Sequence, residues 1–304
     1  MSRIDRSVPH LRAVRGARPA SAHLPVRAMP LQVDWLRVMR DLTASGPLRF
    51  ELSNSAVRWI SHGEPWYAGG KANVAWMRGP GLALAGLSDL WAEARLNREQ
   101  GEDAYEHLDI NDRCGKTLAR LSLNQDSNWS GFHALLVRQW AKPAKPAASD
   151  QCGVRQACLR RLQGACRLAD CGALPECWYG IAVPRLPGRP VDVSLISPFL
   201  EVFADQCCGL SVLAGNRGLV QQHVSIFHSC RLRAGKLCLS SSTARLEIAL
   251  DKLVAARLVD CHYREQLIRL YDEQGFCVAV IAMPADAAEQ DRKLWQTLVR
   301  ALVD

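Results

Sequence analysis

The chain has 304 residues, of which 48% are hydrophobic and 22% are charged. This composition is typical of a folded globular protein and excludes disordered and collagen-like classes. At roughly 150 residues per domain, the length predicts two domains or one duplicated fold. The longest apolar runs, such as 81–87 and 277–283, are far shorter than the ~18 residues of a membrane-spanning helix, so we expect no membrane span.

The positive charge is concentrated at the start of the chain. The formal net charge is +8, and residues 1–30, with six arginines and one aspartate, account for +5 of it. This segment lacks the apolar core of a secretory signal, so we predict a disordered basic leader or an upstream start ahead of Met29. The alternative is a nucleic-acid-binding arm. Because no aromatic residue lies among the arginines and the remaining chain is nearly neutral, we expect no nucleic-acid partner.

The sequence pattern of the first half predicts a helix, a polar turn, a β-hairpin and a second helix. These segments lie at 33–44, around Asn54, at 106–123 and at 129–140. In the hairpin, alternating apolar residues run into a polar turn that Gly115 closes, which is typical hairpin chemistry. In both helices, apolar residues recur at the three- and four-residue spacing of a buried helix face.

The second half repeats this order after a linker rich in Lys, Pro, Ala and Ser. Its segments are a helix around 158–166, a helix at 197–208, a turn at 215–221, a hairpin at 266–283 and a helix at 294–302. Asn54 and Asn216 are 162 residues apart, and Gly115 and Gly275 are 160 residues apart. Two offsets that agree this closely indicate an internal duplication.

We therefore predict an α+β fold of two similar halves, each a meandering antiparallel sheet flanked by helices. The predicted division of the chain is a leader at 1–30, a first repeat at 31–141, a linker at 142–153, and a second repeat with its leading helices at 154–304.

Cysteine is unusually frequent, with twelve residues in the chain. A chain of this length, without a secretory signal, needs no disulfides to fold, so we predict a reduced, cytoplasmic protein. Five cysteines are clustered but lack the Cys-x-x-Cys spacing of zinc and iron–sulfur sites, which favours core thiols over a metal site built from this cluster. They are Cys152, Cys158, Cys166, Cys171 and Cys177.

The segment 215–223, Gly-Asn-Arg-Gly-Leu-Val-Gln-Gln-His, resembles the Gly-Asn-Arg-Gly-x-x-Gln-x-His signature of the bacterial hemin-degrading factor and cytoplasmic hemin-transport family. The later hairpin and the helix containing Trp295 follow in that family's order and spacing. Asn54, the first hairpin and the helix containing Phe132 match its first repeat. The resemblance covers roughly residues 33–304 and is clearest from 210 to 304.

The resemblance implies a fold, a ligand and partners. Each repeat would form a large antiparallel sheet with helices, and the two sheets would stack into one body. Heme would bind in a cleft between the halves, with its iron ligated by a histidine and its propionates held by basic residues. Family members are described as heme oxygenases or as carriers that pass heme to an oxygenase. The implied partners are heme, a heme oxygenase or a heme importer, and a second copy in a homodimer.

The sequence departs from the family at the iron ligand, because it has no histidine between His133 and His223. Cys166 lies at or near the expected ligand position. One hypothesis makes it a thiolate ligand, with Arg167 beside it lowering its pKa and contacting the ligand. The other makes it a thiol buried on the apolar face of its helix.

Two residues of the 215–223 segment are further candidates for heme contact. Arg217 offers a guanidinium that matches the geometry of a propionate carboxylate, and its alternative is a structural role in the turn. His223 matches the signature, and its alternative is a hydrogen-bonded strand residue. Because the usual histidine and a late basic stretch are missing, a second function also stays open: a heme-free paralogue that acts as a binding or regulatory module.

Overall fold

A computed structural model describes residues 34–71, 74–80, 82–98, 106–112, 114–140, 188–216, 218–260 and 266–303. The predicted leader at 1–30, the linker at 142–153 and the helix around 158–166 lie outside the described residues. The predicted division of the chain into repeats therefore stays a prediction. No helix in the described ranges is long and apolar enough to cross a membrane.

The first half contains two helices and eight strands. The helices are α1 (Trp35–Leu42) and α2 (Trp129–Trp140). The strands are β1 (Leu48–Ser53), β2 (Val57–Gly63), β3 (Tyr67–Lys71), β4 (Val74–Gly79), β5 (Leu82–Leu87), β6 (Glu93–Arg98), β7 (Glu106–Asn111) and β8 (Thr117–Leu123).

The described part of the second half has two helices and nine strands. The helices are α3 (Ile196–Asp205) and α4 (Glu289–Ala301). The strands are β9 (Arg189–Val191), β10 (Gly209–Gly215), β11 (Leu219–Ile226), β12 (Ser229–Arg233), β13 (Lys236–Ser240), β14 (Ala244–Ala249), β15 (Leu253–Asp260), β16 (Gln266–Asp272) and β17 (Cys277–Ala282).

The strands form two large antiparallel sheets, which confirms the predicted fold class. Sheet 1 has the order β12-β13-β14-β2-β1-β8-β7-β6, and sheet 2 has the order β3-β4-β5-β11-β10-β17-β16-β15-β9. Strands β3–β5 of the first half belong to sheet 2, and strands β12–β14 of the second half belong to sheet 1. The prediction that each half forms a meandering sheet of its own was therefore wrong. Alternating polarity identifies a strand but not its neighbour, which long-range pairing decides.

The hydrophobic core lies between the two sheets and continues under the helices. Buried residues from sheet 1, sheet 2 and the helices join in one cluster, which includes Phe50, Leu121, Val212, Ile281, Met39 and Phe203. Helix α1 packs against β3 and β4, and α3 packs against β12. Trp295 of α4 contacts Phe199 edge-on, with ring centroids 5.4 Å apart. The stacked sheets and flanking helices implied by the family resemblance are therefore present.

Both predicted hairpins are present, and an aspartate organises the turn of each. Asp112 Oδ1 accepts hydrogen bonds from the backbone N–H groups of two following residues, and Asp272 Oδ1 does the same in the second hairpin. Gly115 and Gly275 follow with φ of 74° and 79°, a region that glycine enters without a Cβ clash. Local chemistry alone therefore specifies these turns.

The two-residue difference between the duplication offsets arises in one connection. Arg95 pairs with Asp109 across β6 and β7, and Arg257 pairs with Arg269 across β15 and β16. Equivalent positions of the two halves therefore differ by 162 in residue number up to β15 and by 160 from β16 onward. The link between β15 and β16 is two residues shorter than its counterpart. This register fixes which positions of the two sheets are equivalent.

A pair of asparagines joins the halves at the centre of the fold. The Asn54 amide donates to the carbonyl oxygens of Gly215 and Val278, both at 2.8 Å. In return, the Asn216 amide donates to the carbonyls of Ser53 and Leu118, at 3.3 and 2.6 Å. Each side-chain oxygen also accepts from two backbone N–H groups of its own turn. The two turns therefore hold each other by equivalent bonds.

Candidate functional site

The outer face of sheet 2, which points away from the core between the sheets, is mostly apolar. Along each strand, alternate side chains point to this face. They form a second buried cluster, separate from the main core. Its members are Val74, Ala85, Leu87, Leu213, Val220, Tyr271, Cys277 and Val280. An apolar face of this kind provides the lining that binding sites for organic ligands require.

Two arginines stand on this face beside the apolar cluster. Arg257 and Arg269 are directly opposite each other on β15 and β16, and Arg269 is also opposite Val280. Both side chains are half-buried, and their Nε atoms are buried without a hydrogen-bond partner among the described residues. A desolvated cation without a counter-charge is costly. Two together on an apolar face indicate a site for an anionic group.

A third guanidinium lies on the same face across the apolar row. Arg78 of β4 is opposite Ala83, which is opposite Gln222 of β11. One of its terminal nitrogens is buried without a hydrogen-bond partner in the described part of the chain. With strands about 4.8 Å apart, five strand spacings place Arg78 roughly 24 Å from Arg269. The cations therefore stand at opposite ends of the apolar strip.

The equivalent row of sheet 1 has a carboxylate where sheet 2 has a cation. Asp109 is equivalent to Arg269, and Arg95 is equivalent to Arg257. Asp109 accepts hydrogen bonds from Arg120 Nε and from the Asn97 amide, both at 2.8 Å. In sheet 2, no carboxylate of the described residues occupies a paired position on the outer face. An anionic ligand would supply the missing negative charge.

His223 is the one predicted heme contact that the structure describes. It lies on the inner face of sheet 2, is 2% exposed, and its Nε2 is 3.1 Å from Thr243 Oγ1. Burial, and then the nearby His62, lower its pKa to about 4, so the ring is neutral at pH 7. His223 thus lies on the opposite side of sheet 2 from Arg257 and Arg269, and its place in a ligand site stays a prediction.

The other predicted site residues lie outside the described residues: Cys166, Arg167 and Arg217. Their roles stay predictions, as does a metal site built from the cysteines at 152–177. Within the described ranges, no group of three His, Cys, Asp or Glu side chains could hold a metal ion. Burial raises the pKa of Cys208 to about 11 and that of Cys230 to about 12, so these two thiols are protonated at pH 7.

Sequence patterns did not identify Arg257, Arg269 and Tyr271 as site residues. Tyr271 is fully buried on the outer face of sheet 2, where it pairs with Cys277. A signal was available, because residue-by-residue alignment of the two halves places Arg269 opposite the acidic Asp109. Such a charge inversion between duplicated positions marks a place where the outer faces of the two sheets differ.

Comparison with known proteins supports the fold. No protein-family model matches the chain, and no curated protein matches it in sequence. Among solved structures, the heme-degrading enzyme ChuS of Escherichia coli O157:H7 superposes with a TM-score of 0.70 at 17% identity, covering 91% of this chain and 87% of ChuS. Holo-PhuS, a heme-binding protein from Pseudomonas aeruginosa, gives 0.68 at 15% identity, covering 88% and 86%. The resemblance noted in the sequence is therefore confirmed at the level of the fold.

Proposed function

We propose that this chain is a heme-handling protein of the hemin-degrading type, which binds heme on the outer face of sheet 2. The observation that carries the proposal is the pair of half-buried arginines beside an apolar cluster, because the Nε atoms of Arg257 and Arg269 have no hydrogen-bond partner among the described residues. Heme combines a flat apolar macrocycle with carboxylates. The planar guanidinium fork matches a carboxylate in geometry and charge.

Residues of this chain would contact both the macrocycle and the propionates of heme. Val220, Leu213 and Val280 offer the apolar surface for the macrocycle, and the two arginines would receive the propionates. The bound heme supplies the iron. No histidine of the described residues lies on this face, and Cys166 is the sequence-based candidate for the iron ligand. The likeness to ChuS and PhuS, a heme-degrading and a heme-binding protein, supports heme as the ligand.

We place this function in the cytoplasm, in the uptake of iron from heme. All six described cysteines are free thiols, which suits a reducing compartment. The partners we propose are a heme oxygenase that receives the heme or an importer that delivers it.

Hemin titration of the purified chain, followed by the Soret band, tests the proposal. We expect a saturable one-to-one shift at micromolar hemin. Arg257→Gln and Arg269→Gln each remove a charge-assisted hydrogen bond, which should weaken binding by about 10- to 100-fold. The matched control is Arg95→Gln, the position equivalent to Arg257, where the side chain is paired with Glu93 at 2.8 Å. Equal affinity of all three variants would remove the arginine pair from the site.

The second candidate is the heme-free binding or regulatory module. It is favoured by the missing histidine between His133 and His223 and by the inward position of His223. In that case, hemin would give no saturable shift. If hemin does bind, an unchanged spectrum of Cys166→Ala would exclude Cys166 as the iron ligand.

A further inference from the structure

The inner faces of the two sheets meet in a buried polar group at the centre of the duplication. Trp59 and Ser61 project inward from β2, and Gln221 and His223 project inward from β11. None of the four side chains is more than 2% exposed. Trp59 is equivalent to Gln221, and Ser61 is equivalent to His223, because both pairs are 162 residues apart. The group therefore lies on the local two-fold axis.

The contacts within this group follow the same symmetry. The Gln221 amide donates a hydrogen bond to Ser61 Oγ. At the equivalent contact, the rings of Trp59 and His223 meet edge-on, with centroids 6.0 Å apart. Three polar atoms remain buried without a hydrogen-bond partner among the described residues: Trp59 Nε1, Gln221 Oε1 and His223 Nδ1. A buried polar atom that stays unsatisfied destabilises the folded chain.

We propose that one buried water molecule bridges these three atoms. The indole N–H of Trp59 only donates, and Gln221 Oε1 only accepts. If His223 donates from Nε2 to Thr243 Oγ1, its Nδ1 is a second acceptor. A water that accepts one bond and donates two satisfies all three groups, and buried waters typically make about three hydrogen bonds. A neutral ligand suits the site, because none of its three unsatisfied atoms belongs to a charged group.

This assignment gives a structural purpose to the segment that carries the family resemblance. Asn216 binds the first half through the turn, and Gln221 and His223 bind it through Ser61, Trp59 and the proposed water. Asn216, Gln221 and His223 of the signature therefore join the halves, whereas Val220, at an unspecified position of the signature, belongs to the apolar cluster on the outer face. The inference does not depend on the proposed function, because it concerns the ligand-free chain.

Water-to-protein cross-relaxation in the NMR spectrum of the ¹⁵N-labelled full chain tests the proposal. We expect a persistent water cross-peak at the Trp59 indole N–H. Trp35 and Trp91 are internal controls that should show none, because their indoles donate to backbone carbonyls at 2.8 and 3.0 Å. The ¹⁵N shifts of His223 should show a protonated Nε2 and an unprotonated Nδ1.

A variant pair separates the water site from a general effect on folding. Gln221→Met removes the acceptor while keeping side-chain length, and should abolish the Trp59 cross-peak. Gln222→Met changes the neighbouring residue, whose amide bonds Ser211 on the outer face, and should leave the cross-peak unchanged. A folded wild-type chain without the Trp59 cross-peak, or with a protonated Nδ1 on His223, would overturn the proposal.

Discussion

The outer faces of sheets 1 and 2 occupy equivalent positions in the duplicated fold but differ in how their charges are balanced. On sheet 1, cations and carboxylates alternate along neighbouring strands and pair with one another. The ion pairs are Arg49–Glu51, Arg58–Glu51, Arg95–Glu93, Arg120–Asp109 and Arg245–Glu247. On sheet 2, the equivalents of Glu51 and Arg120 are Leu213 and Val280, and the equivalent of Asp109 is Arg269.

Under the proposed function, this difference explains why one face of the duplicated scaffold binds the ligand. On sheet 1 the arginines pair with carboxylates of the same face, so an anionic ligand would have to compete with Asp109 and Glu51. On sheet 2, the described residues at the equivalent positions include two arginines and no carboxylate, so an anionic ligand would balance their charge. The strand pairings that align the residues are equivalent in both sheets. The difference between the two faces therefore lies in side-chain identity.

The strongest test restores the sheet 1 pattern on sheet 2. Arg269→Glu would place a carboxylate opposite Arg257, as Asp109 lies opposite Arg95. We expect hemin affinity to fall by about 100-fold or more, because the ligand loses one cation and meets a repelling charge. Thermal unfolding by circular dichroism should show equal or higher stability, because Arg257 gains a counter-charge. Retained hemin affinity would show that the carboxylates bind elsewhere.

The buried His223 on the inner face of sheet 2 should make the protein less stable in acid. This effect is distinct from ligand binding on the outer face. The pKa of His223 is lowered to about 4 by burial and His62. On acidification, the unfolded chain takes up the proton first. His223 therefore contributes about 3 kcal/mol to the free energy of unfolding above pH 6.5, and this contribution is lost between pH 6.5 and 4. Burial and Arg49 also lower the pKa of His62, which adds to the loss.

Urea unfolding at several pH values measures this effect. Between pH 6.5 and 4, the free energy of unfolding of His223→Gln should fall less than that of the wild type. Each protein is compared with its own value at pH 7. The exposed His228 provides the control, because His228→Gln should decline as the wild type does. Parallel curves for all three proteins would contradict the assignment.

The self-paired face of sheet 1 should contribute to stability and not to ligand binding. Asp109 is 6% exposed and neutralises Arg120. Asp109→Ala removes the carboxylate that accepts from Arg120 Nε and from the Asn97 amide, and we expect a loss of about 2 kcal/mol in the free energy of unfolding. Hemin affinity should stay within twofold of the wild type. A large loss of hemin binding in a folded Asp109→Ala protein would place the ligand on sheet 1 as well.

The smallest effect is expected at the solvent-exposed end of sheet 1. Arg245 pairs with Glu247 at 2.8 Å, but its side chain is 57% exposed. Because water screens such a pair, Arg245→Ala should change the free energy of unfolding by less than about 0.5 kcal/mol. Chemical unfolding measures this change. A cost similar to that of Asp109→Ala would mean that burial does not distinguish the two pairs.

Local chemistry in the sequence determined the hairpins, the described helices and the duplication. Asp112 with Gly115, and Asp272 with Gly275, specify their turns through bonds to residues two and four positions away. The helical spacing around Met39 and Trp295 likewise depends on neighbours within one or two turns. These signals were readable because every partner in them is close along the chain.

The tertiary structure alone decided which strands pair and which face each side chain occupies. Side chains alternate across a strand, so the sequence places Gln221 and His223 on one common face but does not say whether that face is the core. The packing of sheet 2 against sheet 1 makes this face the inner one, where Gln221 and His223 contact Ser61 and Trp59. Likewise, Arg257 and Arg269 become neighbours only when β15 pairs with β16. Their partnership depends on the register of this strand pair, which the sequence patterns did not predict.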